Sequence, residues 1–298
     1  MSANAGDKKW GGLDSLSQIA YKILTKTHYL SIFRIMDRRY REFYEELSRS
    51  YYEEKNVYAS PSGKLRLHFI RRWVSNLGRG RILDAGCGSG INLTHYKGEI
   101  VGVDIGFENL KRAKRRLPNG MFIKGDIENL NFLKPASFDY VLMNEIIEHI
   151  PSPALALSGI YEALKPSGKL LITAPNWHRK RPIKEKPGIL DAHNINYPEP
   201  DGYLHTAYKP EELKHLAESV GFKVVEYGTI EKEIRYWPTI VGLPFRIMEK
   251  IAGKRMLIYR AERATLNVVL VILKTLGIAH LMRLIIKDGR RSYIVAEK

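Results

Sequence analysis

Apolar residues form short runs from residue 81 onward, and amphipathic stretches lie between these runs. Five runs are almost continuously apolar, as expected for strands of a parallel sheet that helices cover on both faces. The predicted strands are RILDAG (81–86), EIVGVDI (99–105), MFIKGD (121–126), FDYVLMNE (138–145) and GKLLITAPN (168–176). The predicted helices between them are INLTHYK, FENLKRAKRRL and SPALALSGIYEALK. This alternation predicts an α/β fold with a mostly parallel sheet.

The C-terminal part of the chain continues the pattern. KPEELKHLAESVG (209–221) predicts a helix with a proline near its start and a glycine past its end, and FKVVEYGTI (222–230) predicts a strand. The last eight residues, RSYIVAEK, alternate like a strand, which we interpret as the closing strand of the same seven-stranded sheet. Residues 231–290 are then a basic helical insertion within a domain that covers residues 61–298.

Residues 1–60 precede the sheet, and we predict that they form a helical extension or lid. One apolar stripe at helical spacing contains Ile32, Met36, Tyr40, Phe43 and Leu47. We expect this stripe to pack on the core or on the lid, and a partner-binding face is the alternative.

The composition is that of an ordinary globular protein, with 298 residues of which 44% are hydrophobic and 27% are charged. The single cysteine, Cys87, excludes a disulfide framework and fits a reducing compartment. The first twelve residues, MSANAGDKKWGG, lack the apolar segment of a secretion signal. We therefore expect a cytoplasmic protein.

The net charge of +16 is concentrated in two regions. Residues 61–137 carry 14 basic and 6 acidic side chains, and residues 238–298 carry 12 and 4. Such an excess predicts an anionic partner, which would be a nucleic acid, a phospholipid surface or a phosphorylated substrate. The alternative is a solvated basic surface without a specific partner.

A glycine loop follows the first predicted strand, with Gly86, Gly88 and Gly90 at alternate positions. Glycines in this place allow a tight turn and the close approach of a ligand to backbone N–H groups. The spacing is GxGxG and differs from the GxGxxG of dinucleotide sites. Asp84, just before the loop, would repel a pyrophosphate and attract an ammonium group. The loop therefore favours a cationic nucleoside without phosphate.

Acids follow each of the first three predicted strands: Asp84, Asp104 and Asp126. Because the carboxyl ends of parallel strands meet at one edge of a sheet, we expect the three side chains to border one crevice. An acid in the position of Asp104, twenty residues after Asp84, can bind the hydroxyls of a ribose.

With these motifs in order, the chain resembles the class I S-adenosylmethionine (SAM) dependent methyltransferases, and within them the ubiquinone-biosynthesis-like (type 11) branch. The stretches that carry the resemblance are ILDAGCGSG, VGVDI, GDIENL, FDYVLMNEIIEHI and LKPSGKLLITAPN, across roughly residues 60–230. The resemblance implies a Rossmann-like methyltransferase fold with helices on both faces of the sheet, and SAM as the cofactor.

The resemblance also implies a set of cofactor-binding residues around the methionine, ribose and adenine parts of SAM. They are Asp84, Gly86, Gly88 and Gly90 at the methionine end, Asp104 at the ribose hydroxyls, Ile105, Asp126 and Ile127 at the adenine, and Asn144 at the end of the fourth strand.

The candidate chemistry lies in NEIIEHIPSP (144–153), after the fourth strand. If this stretch is helical, Glu145, Glu148 and His149 share one face, because they are three and four residues apart. Methyl transfer from a sulfonium needs an aligned acceptor and, for a hydroxyl, removal of its proton. In one interpretation His149 is the general base and a neighbouring carboxylate, Glu145, orients it.

In a second interpretation a divalent cation positions and acidifies the hydroxyl. The Glu-x-x-Glu-His motif is similar to the metal-binding element of ubiquinone-biosynthesis O-methyltransferases and of small-RNA 3′-end 2′-O-methyltransferases. The latter add a histidine after the fifth strand, and His205 has a matching position, so the candidate ligands are Glu145, Glu148, His149 and His205. In a third interpretation the segment caps a helix and packs in the crevice wall.

One further segment has a candidate role in acceptor binding. Residues 176–208 form a long loop, and loops of this length are usually lids or binding loops. Its candidate contacts are Arg179, Lys180 and Arg181 for an anionic acceptor, and His193 and His205 for the pocket wall. The basic run LKRAKRRLP (110–118) is interpreted as a solvated helix face, since no RNA-binding signature accompanies it.

Within the insertion, the apolar stretch TLNVVLVILKTLGIAHLMRLIIK is interrupted by Lys274, His280 and Arg283, which argues against a membrane span. We interpret it as a buried helix that completes the domain core. Peripheral contact with a membrane surface and a dimer interface are the alternatives.

From these features we expect a SAM-dependent methyltransferase that methylates a hydroxyl of a small or lipid-linked acceptor, such as a quinone-type phenol or a glycolipid. The alternatives are an RNA ribose 2′-O-methyltransferase and a non-catalytic SAM-fold module that binds membranes or nucleic acid. Nucleic acid is the less favoured partner, because no RNA-binding module accompanies the charge.

Overall fold

The computed structural model describes residues 38–178, 180–187, 190, 191, 193, 195–253 and 255–298. The chain divides into two compact units, Met1–Glu42 and Phe43–Lys298. Residues 38–42, the described part of the first unit, are helical. Ile32 and Met36 of the predicted N-terminal stripe, and Arg179 of the long loop, lie outside the described residues. The sheet and the motifs around it belong to the second unit.

Nine strands occur in the described part of the second unit, seven in one sheet and two in a short ribbon. In chain order they are β1 Arg81–Ala85, β2 Glu99–Asp104, β3 Met121–Lys124, β4 Phe138–Asn144, β5 Leu164–Pro175, β6 Lys184–Glu185, β7 Tyr203–Leu204, β8 Lys223–Ile230 and β9 Arg291–Glu297. The sheet order is β3-β2-β1-β4-β5-β9-β8, and β6 pairs with β7. Strands β1 to β5 are parallel, whereas β9 is antiparallel to both of its neighbours. The predicted mostly parallel, seven-stranded sheet with its C-terminal closing strand is confirmed.

Three helices of this unit precede the first strand, and the others lie between the later strands. They are α1 (residues 43–50), α2 Glu53–Asn56, α3 Pro61–Ser75, α4 Phe107–Arg116, α5 Pro153–Ala163, α6 Pro210–Val220, α7 Trp237–Ala252, α8 Met256–Thr275 and α9 Ile278–Ile285. Local sequence explains their ends. The Ser60 hydroxyl accepts a hydrogen bond from the Gly63 N–H at the start of α3, and Gly221 ends α6 at a φ of 115°.

Alternate residues along the central strands pack into two buried clusters, one on each face of the sheet. On β1, Leu83 joins the cluster that includes Leu157 of α5 and Leu213 of α6, while Ile82 joins the cluster that includes Ile70 of α3. Both faces are therefore covered by helices, as the continuous apolar strands predicted.

One predicted helix, INLTHYK, is wrong. Only a single 3₁₀ turn, Ile91–Leu93, forms there, and it starts after Gly90 in the left-handed region at a φ of 73°. The hydroxyl of Tyr96 donates to the carbonyl of Gly80 at 2.9 Å, which holds the segment against the start of β1. Only eight residues separate Gly90 from the start of β2 at Glu99, so the chain turns back before a helix can extend.

Helices α7, α8 and α9 occupy most of residues 231–290, so the predicted helical insertion before the last strand is confirmed. Hydrogen bonds of the Asn267 side-chain amide join α8 to the start of α3. Asn267 accepts from the Lys64 ammonium at 2.7 Å and donates to the Ala59 carbonyl at 3.0 Å. The insertion is thus attached to the methyltransferase-like core by specific polar contacts.

Candidate active site

The glycine loop after β1 has a backbone that only glycine adopts readily. Gly86, Gly88 and Gly90 have φ values of 80°, 49° and 73°. A Cβ on Gly86 would lie 2.3 Å from a methyl carbon of Ile146, so the loop also has no room for a side chain there. The N–H groups of Gly86 and Cys87 both donate to the Val103 carbonyl at the end of β2. The loop is therefore fixed at the carboxyl edge of the sheet.

Asp104 binds this loop directly. One carboxylate oxygen accepts from the Gly88 N–H at 2.8 Å, and the other accepts from the Gly106 N–H at 2.8 Å and from Asn109 at 3.2 Å. Burial raises the pKa of Asp104 above its ordinary value, and the two backbone bonds lower it. A carboxylate has about four acceptor positions, and three of these are in use, so one remains for a ribose hydroxyl.

Asp84 is the candidate partner for a cation. Its side chain is buried, and neither carboxylate oxygen has a hydrogen-bond partner among the described residues. Burial, and then the charges of Asp104 and Glu53, raise the pKa of Asp84 well above its ordinary value. A buried carboxylate without a partner is costly, and an ammonium or sulfonium ligand would offset that cost.

Glu53 of α2 is a third acid beside the loop, and the sequence analysis missed it. A Cβ on Gly88 would lie 2.6 Å from a carboxylate oxygen of Glu53, so this side chain covers the loop. Burial, and then the charge of Asp104, raise the pKa of Glu53 to about 7. Two buried acids and the half-buried Glu53 around one glycine loop favour the binding of a positively charged ligand.

The predicted adenine contacts lie beyond the ends of β2 and β3. Ile105, Asp126 and Ile127 are half-buried. One oxygen of Asp126 accepts from the Glu128 N–H at 3.0 Å and so shapes the turn after β3. Gly125 donates to the Asp104 carbonyl at 3.1 Å, which keeps this turn beside the end of β2. These three residues are not on the wall of the large cavity described next.

A cavity of about 1070 Å³ opens beside the glycine loop. Its wall includes Gly86 and Asn144 from the predicted cofactor set, and Glu145, Glu148 and His149 from the segment after β4. Asn144 donates to the Tyr58 hydroxyl at 3.0 Å and accepts from Thr173 at 2.8 Å, so its amide is fixed at the end of β4. The cavity therefore joins the predicted methionine end of the cofactor to the candidate chemistry.

Glu145 does not share a helical face with Glu148 and His149, so this prediction is wrong. Glu145 has a φ of 56°, and the following Ile147–His149 form only a single 3₁₀ turn. One carboxylate oxygen of Glu145 lies 2.5 Å from both the Arg66 and the Arg291 guanidinium. Although burial raises the pKa of Glu145, these two arginines lower it below its ordinary value.

The other three predicted metal ligands lie together. Glu148, His149 and His205 each have a ligand atom within 4.8 Å of the others, whereas Glu145 is outside this group. The reason is the double ion pair of Glu145, which directs its carboxylate to Arg66 and Arg291. The structure brings His205 to His149 because β7 lies beside the 3₁₀ turn, and their ring centroids are 5.0 Å apart.

The two ring nitrogens of His149 have different surroundings: Nδ1 is in a hydrogen bond, and Nε2 lies near Glu148, another of the candidate metal ligands. Its Nδ1 lies 3.1 Å from the Leu204 carbonyl, which requires a proton on Nδ1 and leaves the lone pair on Nε2. Nε2 is 3.8 Å from a Glu148 oxygen. Burial, and then the neighbouring His205, lower the pKa of His149 to about 3. The imidazole is therefore neutral at physiological pH, the form that accepts a proton or binds a cation.

Glu148 is a buried carboxylate beside His149. It is 1% exposed, and its Oε2 has no hydrogen-bond partner within the described residues. Burial, and then the charge of Glu145, raise its pKa well above the ordinary value. A cation or a hydroxyl donor in the cavity would satisfy this oxygen.

Aromatic rings surround His149 on the cavity side. The ring centroids of Tyr203 and Tyr44 lie 5.4 Å and 5.7 Å from the imidazole centroid, and Tyr203 is stacked on it. Tyr51 also lines the cavity. These flat side chains are suited to an aromatic acceptor, because aromatic rings pair by offset stacking or edge-to-face contact.

The long loop contributes fewer acceptor contacts than predicted. Lys180 and His205 line the cavity. Arg181 does not, since it pairs with Glu212 at 3.4 Å and lies over the Tyr208 ring. His193 is also off the wall and contacts Asn56 at 3.4 Å. The sequence analysis missed the cavity-lining arginines Arg66, Arg235, Arg290 and Arg291.

Comparisons with known proteins agree with this geometry. Residues 34–227 match the family described as "Methyltransferase domain". The chain is 31% identical over 168 residues to the ubiquinone biosynthesis O-methyltransferase of Idiomarina loihiensis, covering 53% of this chain and 68% of the relative. It is 32% identical over 183 residues to the corresponding enzyme of Pseudoalteromonas translucida, covering 57% of this chain and 76% of the relative.

A solved structure extends the likeness to the fold. Haemonchus contortus phosphoethanolamine N-methyltransferase 2, in complex with SAM, aligns with a TM-score of 0.53 and 20% identity, over 87% of this chain and 60% of the other. The family match covers more than half of the chain, and the glycine loop, the strand-end acids and the mostly parallel seven-stranded sheet are those expected from the sequence. The chain therefore belongs to the methyltransferase-domain family and is a class I SAM-dependent methyltransferase.

Proposed function

We propose that this methyltransferase transfers the methyl group to a phenolic hydroxyl of a quinone-type acceptor, either small or lipid-linked. The observation that carries the proposal is the neutral His149, whose free Nε2 lies on the cavity wall among aromatic rings. The two relatives named ubiquinone biosynthesis O-methyltransferase support the same substrate class.

The residues of this chain have separate tasks in the reaction. Bound SAM supplies an electrophilic methyl group on a sulfonium. Asp84 and Glu53 hold its positive end, and the aromatic wall orients the acceptor ring. The acceptor oxygen forms the new O–CH₃ bond while the C–S bond breaks and its electron pair stays on sulfur. His149 Nε2 takes the hydroxyl proton, and the Leu204 carbonyl keeps the imidazole oriented.

A divalent cation is an alternative way to activate the same hydroxyl. Glu148, His149 and His205 offer one carboxylate and two imidazoles within 4.8 Å, and the unpartnered Glu148 oxygen fits such a ligand set. When bound there, a cation would lower the pKa of the acceptor hydroxyl. Glu145 takes no part in this set, because it is held by two arginines.

The basic helix α4 gives little support to an RNA acceptor. Lys111 pairs with Glu108, Lys114 donates to the Gly120 carbonyl, and Arg116 pairs with Glu54. Arg112 donates to the Ser48 carbonyl. Three of the five basic side chains of α4, Arg112, Lys114 and Arg116, therefore bind neighbouring segments, which leaves only Lys111, paired within the helix, and Arg115 for phosphates.

The test is methyl transfer from labelled SAM to dihydroxyphenols with and without an alkyl or polyprenyl tail, and to total RNA, with and without EDTA. We expect label in the phenol ether and none in RNA. The variant His149→Ala should lower turnover by about 10²–10⁴-fold while SAM still binds. Label in RNA, or full activity of His149→Ala, would contradict the proposal, and loss of transfer with EDTA would favour the cation over the base.

A further inference from the structure

The three insertion helices expose an unusual amount of apolar surface. Of the 23 large apolar side chains that are exposed in the described residues, 15 lie between residues 236 and 285. They are Tyr236, Ile240, Leu243, Ile247, Met248, Ile251, Leu257, Val268, Val271, Ile272, Leu276, Ile278, Leu281, Leu284 and Ile285. Single exposed apolar residues are common on proteins, but a concentration of this size marks an interaction site.

On each helix these residues recur at helical spacing. On α7, Ile240, Leu243, Ile247 and Ile251 are three to four residues apart, so they form one stripe. On α9, Leu281, Leu284 and Ile285 form a similar stripe. We call the exposed apolar residues of α7, α8 and α9 the apolar surface of the insertion.

The opposite side of these helices attaches them to the protein. On α8, Ile258, Leu270 and Leu273 are buried, while Val268, Val271 and Ile272 are exposed. The helix is therefore apolar on two sides, and only one of them packs inward. The interpretation of this segment as a core helix describes the inner side alone, and the outer side needs another explanation.

The charge around the apolar surface favours an anionic partner. Residues 237–287 contain nine basic and two acidic side chains. Seven of the described basic residues on or beside the helices are exposed: Arg246, Lys250, Arg255, Arg260, Lys274, Arg283 and Lys287. Helices that combine an apolar face with basic flanks lie in the interface of membranes, where lysine and arginine meet anionic headgroups. A second copy of this chain would bring two basic surfaces face to face, which is unfavourable.

The shape of the insertion fits a position along the membrane surface. No single helix in the described part of the chain is long and apolar enough to cross a bilayer. Helices α8 and α9 reach that length and composition only as a pair, and the pair is bent by 89°.

The apolar surface is continuous with the active-site cavity. Tyr236 and Ile240 line the cavity, and they are also 54% and 58% exposed. Ile240 begins the stripe of α7, so the wall of the cavity passes into the surface that faces outward. An acceptor with an apolar tail could reach His149 along this path without crossing water.

We propose that α7, α8 and α9 dock this methyltransferase on membranes that contain anionic lipids, with the active-site cavity opening toward the bilayer. Docking is independent of the acceptor, whereas entry of a lipid-linked acceptor from the bilayer rests on the proposed function.

The test of docking is flotation of the full chain with vesicles of phosphatidylcholine alone or with added phosphatidylglycerol. We expect binding to the anionic vesicles, weaker binding to phosphatidylcholine, and weaker binding at high salt. The double variant Ile247→Glu/Ile251→Glu and the variant Leu284→Glu should each bind at least about tenfold more weakly. Neither variant touches the cavity wall, and thermal unfolding checks that each remains folded.

The matched control for Leu284→Glu is Leu155→Glu on α5, which adds the same single charge at an apolar residue that is also exposed. It should bind vesicles like the unchanged chain. The proposal is overturned if the chain does not float with anionic vesicles, or if the control and the Leu284→Glu variant bind equally. A stable dimer in light scattering that dissociates on Leu284→Glu would also overturn it, since a second copy would then cover the surface.

A second measurement separates docking from the acceptor. Turnover of a short, soluble acceptor should be unaffected by the α7 variant, while turnover of a long-tailed acceptor in vesicles should fall with vesicle binding. If vesicle binding is seen but no phenol is methylated, the proposed function fails and docking stands. If turnover of the long-tailed acceptor is unaffected by the loss of vesicle binding, entry from the bilayer is wrong.

Discussion

Glu145 shows how one backbone conformation decides a side chain's role. Its positive φ of 56° places the carboxylate between Arg66 and Arg291, which come from α3 and the start of β9. Arg66 also lies 3.8 Å from Glu231. Glu145 thus connects the end of β4 to two distant parts of the chain. Its role in the site is to pair with these two arginines.

Replacing Glu145 with glutamine should therefore reduce stability. The buried Arg66 and the half-buried Arg291 would lose their shared carboxylate. Breaking a buried pair costs about 3–5 kcal/mol, and we expect a loss near the lower end of that range. Urea unfolding would measure the free energy of unfolding. Glu108→Gln, which removes an exposed pair with Lys111, is the control and should cost less than about 1 kcal/mol. Equal small losses in both variants would contradict this role of Glu145.

Glu53 makes SAM binding depend on pH near neutrality. Its pKa is raised to about 7, and only its ionised form attracts the positive end of SAM. The amino group of SAM stays mostly protonated up to about pH 7.5. Affinity should therefore rise by several-fold between pH 6 and 7.5, measured by calorimetry.

The variant Glu53→Gln should bind SAM more weakly at pH 7.5 and lose most of this pH dependence. Glu54→Gln is a suitable control, because Glu54 is the next residue but pairs with Arg116 at 2.8 Å. If Glu53→Gln keeps the affinity and the pH profile of the unchanged chain, Glu53 does not contact the ligand.

Sequence reasoning found the residues whose position follows from the strands. Asp84, Asp104 and the glycine loop lie where the ends of β1 and β2 predict them. It missed Glu53, Arg66 and Arg291, because they come from segments far away in the chain and have no local motif. The only signal was the arginine pair Arg290 and Arg291, the second of which begins RSYIVAEK, and this pair was interpreted as part of a general basic excess.

At the level of elements, the strands were predicted better than the short segments between them. The central strands are continuous apolar runs, because both of their faces are buried, and such runs are easy to find in a sequence. The turns at Ile91–Leu93 and Ile147–His149 have apolar and polar residues at helical spacing, but each is too short to extend. The β6–β7 ribbon that carries His205 depends on pairing within the long loop, which spacing alone does not predict.

The junction between β8 and β9 gives a prediction at this scale. A Cβ on Gly289 would lie 1.8 Å from the Ile230 carbonyl oxygen, and the Gly289 N–H donates to Thr229 at 2.7 Å. Gly289→Ala should therefore force the strands apart, cost about 2 kcal/mol or more, and lower turnover by displacing Arg291.

Gly277→Ala is the matched control for this junction. Gly277 has a φ of 70° but no atom within 4 Å of an added Cβ, so the change should cost only about 1 kcal/mol. Thermal unfolding and turnover of both variants would test the difference. An equal effect of the two substitutions would mean that the close approach to Ile230 is not important.

For the molecule as a whole, the ligand site lowers the stability of the free protein. Asp84 and Asp104 are buried and Glu53 is half-buried beside the same glycine loop, and desolvation raises the pKa of each. SAM at 100 times its Kd should add about 2.7 kcal/mol of stability, which is roughly 5–10 °C in Tm.

The variant Asp84→Asn should separate these two effects. Removing the buried charge should raise the stability of the free protein by about 1 kcal/mol, while the rise in Tm with SAM should be lost. Scanning calorimetry with and without SAM measures both. A less stable free variant that still responds fully to SAM would contradict the role of Asp84.

The register of the last two strands has a consequence for the origin of the insertion. Ile230 and Arg291 are direct partners in the β8–β9 ladder, so a segment of sixty residues leaves and re-enters the sheet at nearly the same point. A two-residue hairpin could close the same gap. A relative could therefore gain, lose or replace the insertion in one step, because the pairing of β8 with β9 does not depend on the length of the segment between them. Grafting it between the corresponding strands of another methyltransferase would show whether the insertion alone carries the proposed membrane docking.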